Sequence, residues 1–471
     1  MIRHFWGLNL ASLGCLASLG CLVSLLLPVN ANAISFEQAW QDVLEKNQSL
    51  AANKENVARS EALRDAAKDL YFPKVDLTGN YTRLEKPVSL DLKDLEPLAS
   101  LDLSGLDPAL GQILAPLLNL PTVTNFTEQD ITTSSIRAIW PLYTGGRRGA
   151  AIDIAREQNI EAGKVLAMQQ QAKFEDLAKV YFGVVLAAQV AETYKEVEDG
   201  LKKHQRNAVK LEQQGQIAFV ERLQADASYD KAKVDTRKAL RNYEIAQLAL
   251  KELLHAQQAI QPTSSLFTQA DIPELESYMS QTLNSYPGLA ILDSKSEQAK
   301  KMVTIAKGGY MPEVYMFGNY DIYKGDSLAA KYAPDWMVGV GVSVPIIDNS
   351  GRSGKVNAAN STVLQISYIR AQAERDLGLL VEKTYREAEL ALEEYQGLES
   401  TLALAKENLR IRLKAFSQGL ATSLDVVDAE MYQASVKTQR QSAAYSHVIA
   451  LAKLTALSGE MANFSQYYRF N

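Results

Sequence analysis

Two stretches of the chain alternate apolar and polar positions with a period of two. Tyr71, Pro73, Val75, Leu77, Gly79 and Tyr81 fall on one side, and Phe72, Lys74, Asp76, Thr78 and Asn80, mostly polar, on the other. Trp336, Val338, Val340, Val342, Val344 and Ile346 likewise oppose Gly339, Gly341 and Ser343. This alternation predicts strands with one apolar face. It suits a transmembrane barrel wall and equally half of a soluble sheet. Elsewhere the period becomes helical. Phe174, Leu177, Tyr181, Val184, Ala188 and Ala191 step by three and four, the seam of a packed helix. From about Gly146 to Glu212 there is no proline. Roughly 65 residues at 1.5 Å rise predict a rod about 100 Å long, far beyond an ordinary domain helix. A similar rod is predicted from about Ser353 to Lys414. Each rod ends at a glycine, Gly215 or Gly419, and a return helix follows.

The pattern is written twice. Tyr71-Phe72-Pro73-Lys74-Val75 returns as Tyr310-Met311-Pro312-Glu313-Val314, and Gly79-Asn80-Tyr81 as Gly318-Asn319-Tyr320. Trp140-Pro141-Leu142 is echoed by Val344-Pro345-Ile346, and Gly146-Arg147-Arg148-Gly149 by Gly351-Arg352-Ser353-Gly354. Gln214-Gly215 with Ala218, Glu221 and Ala225 is echoed by Gln418-Gly419 with Thr422, Asp425 and Ala429. The order and spacings match, except that the span from Pro73 to Pro141 is longer than that from Pro312 to Pro345. The chain therefore reads as a tandem duplication, residues 34–270 and 271–471, with an insertion near 84–130. Each repeat is helix, hairpin, long helix, turn, helix. Lying between two strands, the insertion reads as a long loop with its own small packing or as a plug or partner surface.

Residues 1–33 look like an export signal: Arg3, an apolar run to Leu27, Pro28, then Ala31-Asn32-Ala33 as a small-x-small cleavage pattern. Both cysteines, Cys15 and Cys21, lie inside it, so cleavage leaves no disulfide to staple the fold. No second apolar run is long enough for a spanning helix. A net charge of −6 gives no support to a nucleic-acid partner. Chemistry is sparse, and no cofactor is expected. His204, His255 and His447 are scattered, without zinc-ligand spacing, and read as surface or packed histidines. Gly145-Gly146-Arg147-Arg148-Gly149 lacks the Gly-Lys-Ser/Thr ending of a phosphate loop and reads as a strand-to-helix turn. Gly339 and Gly341 read as small residues at a crowded wall. An enzyme is the weakest reading.

Four strands leave two open edges, which hydrocarbon does not tolerate, so a membrane barrel needs several chains. Two, three or four would each give a permitted strand number. At this point the duplicated order resembles the TolC-like outer membrane efflux protein family over essentially the whole mature chain. The resemblance rests on Tyr-x-Pro before a strand (Pro73, Pro312), Pro then a Gly-Arg turn (Pro141 and Gly146, Pro345 and Gly351), and an acid after the tip glycine. It implies an α+β membrane protein: a homotrimer whose twelve strands form one outer-membrane barrel, an even count within the known range, continued by a long periplasmic α-helical barrel. It implies outer-membrane lipid as surroundings and work as the exit duct of an efflux pump or of type I protein secretion. The implied partners are a periplasmic adaptor and an inner-membrane transporter of RND, ABC or MFS type. It places Asp425, Asp428 and Glu221 at the periplasmic entrance. Ala421 stands where the family's latch arginine belongs, so closure is expected to rest on packing around Phe219, Leu420 and Leu424. Asp425 also has a purely structural reading, since Thr422-Ser423-Leu424-Asp425 is a capping box. A soluble periplasmic coiled-coil tether is the reading from another class, and it predicts no strands.

Overall fold

The computed structural model describes residues 32–91, 123–347 and 349–469. The expected export signal lies outside these residues apart from Asn32 and Ala33, and the centre of the 84–130 insertion lies outside them altogether. In chain order the elements begin with β1 (Asn32–Ile34), α1 (Phe36–Lys46), α2 (Gln48–Lys68), β2 (Lys74–Arg83) and β3 (Ser89–Asp91). β4 (Val123–Asn125), β5 (Asp130–Tyr143), α3 (Arg147–Gln213) and α4 (Phe219–Leu253) follow. The second half holds β6 (Ile260–Pro262), α5 (Leu275–Ser285), α6 (Pro287–Gly308), β7 (Glu313–Tyr323), β8 (Trp336–Ser343), α7 (Arg352–Ser417) and α8 (Ser423–Leu457). The rods run 67 and 66 residues and their return helices 35 each. Among the described residues no helix is long and apolar enough to cross a membrane.

One antiparallel sheet has the order β2-β5-β7-β8. Its apolar residues face outward: Val75, Leu77, Tyr81, Val338, Val340 and Val342 are all more than half exposed. An apolar outer face that wide is costly in water and suits lipid. The first strand starts later than the alternation predicts. Tyr71 closes a 3-10 turn, Asp69–Tyr71, and the ladder begins at Lys74, directly after Pro73. Pro312 precedes β7 in the same way. Proline lacks the N–H a ladder needs, so it sits before a strand or at an irregularity. Pro141 lies at a register shift of the β5–β7 pair, whereas Pro345 follows the end of β8, which is shorter than the predicted strand to Ile346. Gly339 and Gly341 are crowded as expected, because the rings of Phe317 and Tyr315 lie over them. The insertion opens as a second small ladder, β3 against β4.

The junction between sheet and rods is built alike in both halves. Gly146 and Gly351 cap the rods with left-handed backbone, φ 81° and 67°. The Arg148 guanidinium lies 4.9 Å from the centre of the Tyr71 ring and donates to Leu70 O and Leu142 O. Arg352 lies 4.7 Å from Tyr310 and donates to Gly309 O, Pro345 O and Ile346 O. The working counterpart of Arg352 is therefore Arg148, not Arg147 as the Gly-Arg echo pairs them. Arg148 and Arg352 are equally far along the chain from Pro141 and Pro345. Arg147 instead pairs with Glu313 at the start of β7.

The main core girdles the middle of the rods. Phe36 from α1 packs against Phe174, Tyr181, Phe182 and Phe464, with ring centres 5.2–5.5 Å apart. Ser35 sets α1 in place with a complete capping box. β1 pairs in parallel with β6, and the Tyr181 hydroxyl joins both ends of this clip. It donates to Ile34 O (2.8 Å) and accepts from the amides of Thr263 and Ser264 (3.1 and 3.0 Å). His447 is a packed histidine: Nδ1 donates to Ala388 O and Nε2 accepts from the Gln269 amide. Burial holds its pKa down, so it stays neutral. Because the aromatic girdle joins α1 to the first rod and to the C-terminal turn, Phe36→Ala is expected to destabilise the protein by about 3–5 kcal/mol. Thermal melting in detergent checks this.

Candidate functional site: the hairpin tips

Far from the sheet, the two helical hairpins end side by side. Both turn on a glycine in left-handed backbone, Gly215 at φ 71° and Gly419 at φ 72°. Gln216 N–H donates back to Leu211 O and Leu420 N–H to Ala415 O, so both rods close with a Schellman turn that needs such a residue. Beneath the turns, Ala208, Ala225, Phe416 and Val426 form a small buried core, with Ala421 at its margin. Phe416 is its large member, and nothing in the tip sequence singles it out except an apolar position at helical spacing.

The acids that follow the two glycines do different work. Thr422 caps α8, accepting from the Asp425 amide at 3.2 Å. Asp425 Oδ2 accepts from the Thr422 amide (2.9 Å) and hydroxyl (2.7 Å), completing the capping box. Its Oδ1 accepts from Arg412 Nη1 at 2.9 Å. The Thr422 hydrogen bonds, with the Arg412 charge helping, hold this carboxyl below the usual aspartate range. Its bonds add stability at neutral pH that is lost as pH falls through that lowered value. In the first hairpin the capping position is Ala218, which has no side chain to offer. Glu221 is thereby free to reach across, and its Oε2 accepts from the Ser423 amide of the other hairpin at 2.6 Å. That amide is one of the orphan donors at the start of α8.

Ser423 is held twice. Its hydroxyl shares a 2.7 Å hydrogen bond with His204 Nε2 from α3. The His204 ring rests on Phe416, centres 4.4 Å apart, and burial pushes its pKa down to about 4. Asp428 is exposed one turn farther along α8. Phe219, Leu420 and Leu424 are also exposed, so none of them is packed away within one chain. Phe219 instead lies under the Arg222 guanidinium, 4.8 Å from ring centre, and Arg222 pairs with Glu212 and Asp226. Sequence reasoning missed His204, Ser423, Phe416 and Arg412 here. Among the described residues no group of three or more His, Cys, Asp or Glu is placed to hold a metal ion.

The family model for outer membrane efflux proteins matches residues 39–255 and 278–460. The chain belongs to the outer membrane efflux protein family. Its place is the outer membrane, and the outward apolar sheet and the long rods are the family's architecture. Among solved structures it is similar to CusC, with a TM-score of 0.73 at 13% identity over 91% of this chain and 92% of that one. It is similar to the outer-membrane channel OprN (0.72, 15%, 90% of each chain). It is also similar to the MtrE outer membrane channel of Neisseria gonorrhoeae in its open state (0.70, 18%, 90% and 89%). Identities this low speak for the fold alone. Among curated proteins no sequence match was found. In this efflux protein, Glu221→Ala strands the Ser423 amide. Loss of a charge-assisted hydrogen bond of about 1.5–3 kcal/mol is expected to speed its hydrogen exchange by about tenfold or more. Exchange unchanged at Ser423 shows that Glu221 does not hold the second tip.

Proposed function

We propose that three copies close into one duct, twelve strands in the outer membrane and a tube of paired helices reaching into the periplasm. The duct serves as the exit of an efflux pump fed by a periplasmic adaptor and an inner-membrane transporter. One observation carries this reading: among the described residues, both layers end in unpartnered edges on opposite sides. The sheet ends in β2 and β8. The helices lie in the order α4, α3, α8, α7, so α4 and α7 are the edges. α4 exposes Val234, Ile245 and Leu248, and α7 exposes Tyr368, Leu379, Leu390 and Leu404. Edges on opposite sides favour head-to-tail association, which closes into a ring when the rotation allows. Ring closure also satisfies the strand edges that lipid would leave unpaired. The channel-forming relatives CusC, OprN and MtrE support the same reading. The two halves, 34–270 and 271–471, are read as one unit duplicated.

In such a trimer the tips of α8 surround the periplasmic mouth. Asp428 is the free carboxylate there, since Asp425 is already bound by Thr422 and Arg412. A ring of carboxylates in a narrow mouth focuses a negative potential, so multivalent cations should obstruct flow. Sizing in detergent is expected to give a trimer, and planar bilayers a cation-preferring channel. Block by a trivalent cation from the periplasmic side should weaken in Asp428→Ala and weaken little further when Asp425→Ala is added. A stable monomer in the soluble periplasmic fraction overturns the duct. Equal block in wild type and double variant places the cation site elsewhere.

A further inference from the structure

The seam between the first hairpin and the second is the contact of α3 with α8. Midway along its lower part sits Gly200 of α3, and the space its missing side chain leaves is filled by the Glu430 carboxyl of α8. A Cβ at Gly200 would lie 2.5 Å from Glu430 Oε1, 2.9 Å from Cδ and 3.1 Å from Oε2. Next to this seat, Val197 and Leu201 of α3 meet Ala434 of α8 and Ala232 of α4 in an apolar cluster. A carboxyl is an odd occupant of such a place, because an ionised one loses its hydration there.

The surroundings do not neutralise it. On α3 the charges that act on Glu430 are Glu196, which repels its anion, and Lys203, which attracts it. Lys437, farther along α8, is taken by Glu196 at 2.5 Å. Lys406 of α7 lines the groove where those two meet. α4 offers Tyr229 to Val427 and Met431 in the same layer. Burial, reinforced by Glu196, raises the Glu430 pKa to about 7, close to the pH at which a periplasmic surface works.

We propose that the Glu430 carboxyl, seated in the notch at Gly200, is a proton-dependent pin between the two hairpins: protonated, it lets α3 and α8 close; ionised, it loosens them. This rests on reading the hairpin tips as the duct's entrance. The sign follows from linkage. With the seam closed the carboxyl keeps its proton up to about pH 7; with the seam open and wet it loses it in the ordinary glutamate range, near 4.3. Between these values the closed seam binds one more proton, so closure weakens as pH rises and is weakest above about 7. His204, one turn beyond Gly200, acts in the opposite sense. Closed, it stays neutral down to about pH 4; open, it takes a proton below about 6.5. The two effects oppose each other in mild acid. A bare pH profile of the wild type would hide both, and only a comparison at fixed pH isolates Glu430.

The test is hydrogen exchange of the α8 amides around Glu430 in the full-length protein in detergent, from pH 5 to 8. Wild type is compared with Glu430→Gln at each pH, which cancels both the intrinsic pH dependence of exchange and the His204 contribution. The ratio of wild-type to variant exchange should rise by up to about tenfold per pH unit and level off above about pH 7. Should Glu430→Gln fail to assemble, Gly200→Ala serves. Its Cβ displaces the carboxyl into solvent, and the wild-type to variant ratio should rise over the same window. A ratio independent of pH overturns the pin. Bilayer conductance separates this from the duct itself: absence of a channel sinks the duct reading without touching the exchange result, and a flat ratio sinks the pin while the channel stands.

Discussion

Every backbone N–H and C=O removed from water has to find a partner, and most of what is unusual in this protein answers that requirement. The sheet faces outward with apolar side chains, and among the described residues its strands pair with one another and leave β2 and β8 as edges. Two rods of about 100 Å have four ends between them, closed in two matched pairs, one pair at the sheet and one at the tips. At the sheet, Arg148 and Arg352 gather carbonyls left free where strand gives way to helix. At the far end, left-handed glycines fold the last carbonyls back onto following amides. At the start of α8 the Ser423 amide takes its acceptor from a carboxylate of the neighbouring hairpin. A helix end thus becomes a tie between hairpins.

The rods also explain where the stabilising core must sit. A seam of alanines and small polar residues buries little area per turn, so a long hairpin gains modestly from its own pairing. The aromatic girdle around Phe36 supplies what the seam does not, and it lies near mid-length, where α1, α5, the β1–β6 clip and the C-terminal turn all converge. The tips lie far from it and rest on small clusters and a few polar bonds. Local stability follows local apolar burial, so the ends remote from the girdle are the parts able to move while the middle stays closed. The polar contacts at Ser423 and Glu430 lie in that weaker region.

Much of the fold was legible because it is periodic. Period-two alternation located the strands, absence of proline located the rods to within a few residues, and the tip glycines marked turns that require left-handed backbone. Recognition of the efflux family from the duplicated order agrees with the family match over both halves. The Asp425 capping box was legible because its partners are three residues apart. The errors are equally physical. Strand starts and ends shifted because a 3-10 turn at Tyr71 and a stop before Pro345 replaced predicted ladder residues. The Gly-Arg echo slipped by one residue because the first half reaches its arginine with the helix already begun.

The sequence by itself determined everything set by spacing along the chain: which segments are strand or rod, where the rods reverse, and which helix ends cap themselves. The tertiary structure decided what depends on segments far apart. Glu221 and Asp425 occupy the same place after their glycines, yet one reaches the other hairpin and one caps its own helix, because Ala218 stands where Thr422 does. His204 meets Ser423, and Gly200 receives Glu430, across more than two hundred residues. A histidine, a glycine and a glutamate are unremarkable in a helical sequence. Only the packing of α3 on α8 draws water away from the imidazole and the carboxyl, and that loss is what favours the neutral form of each.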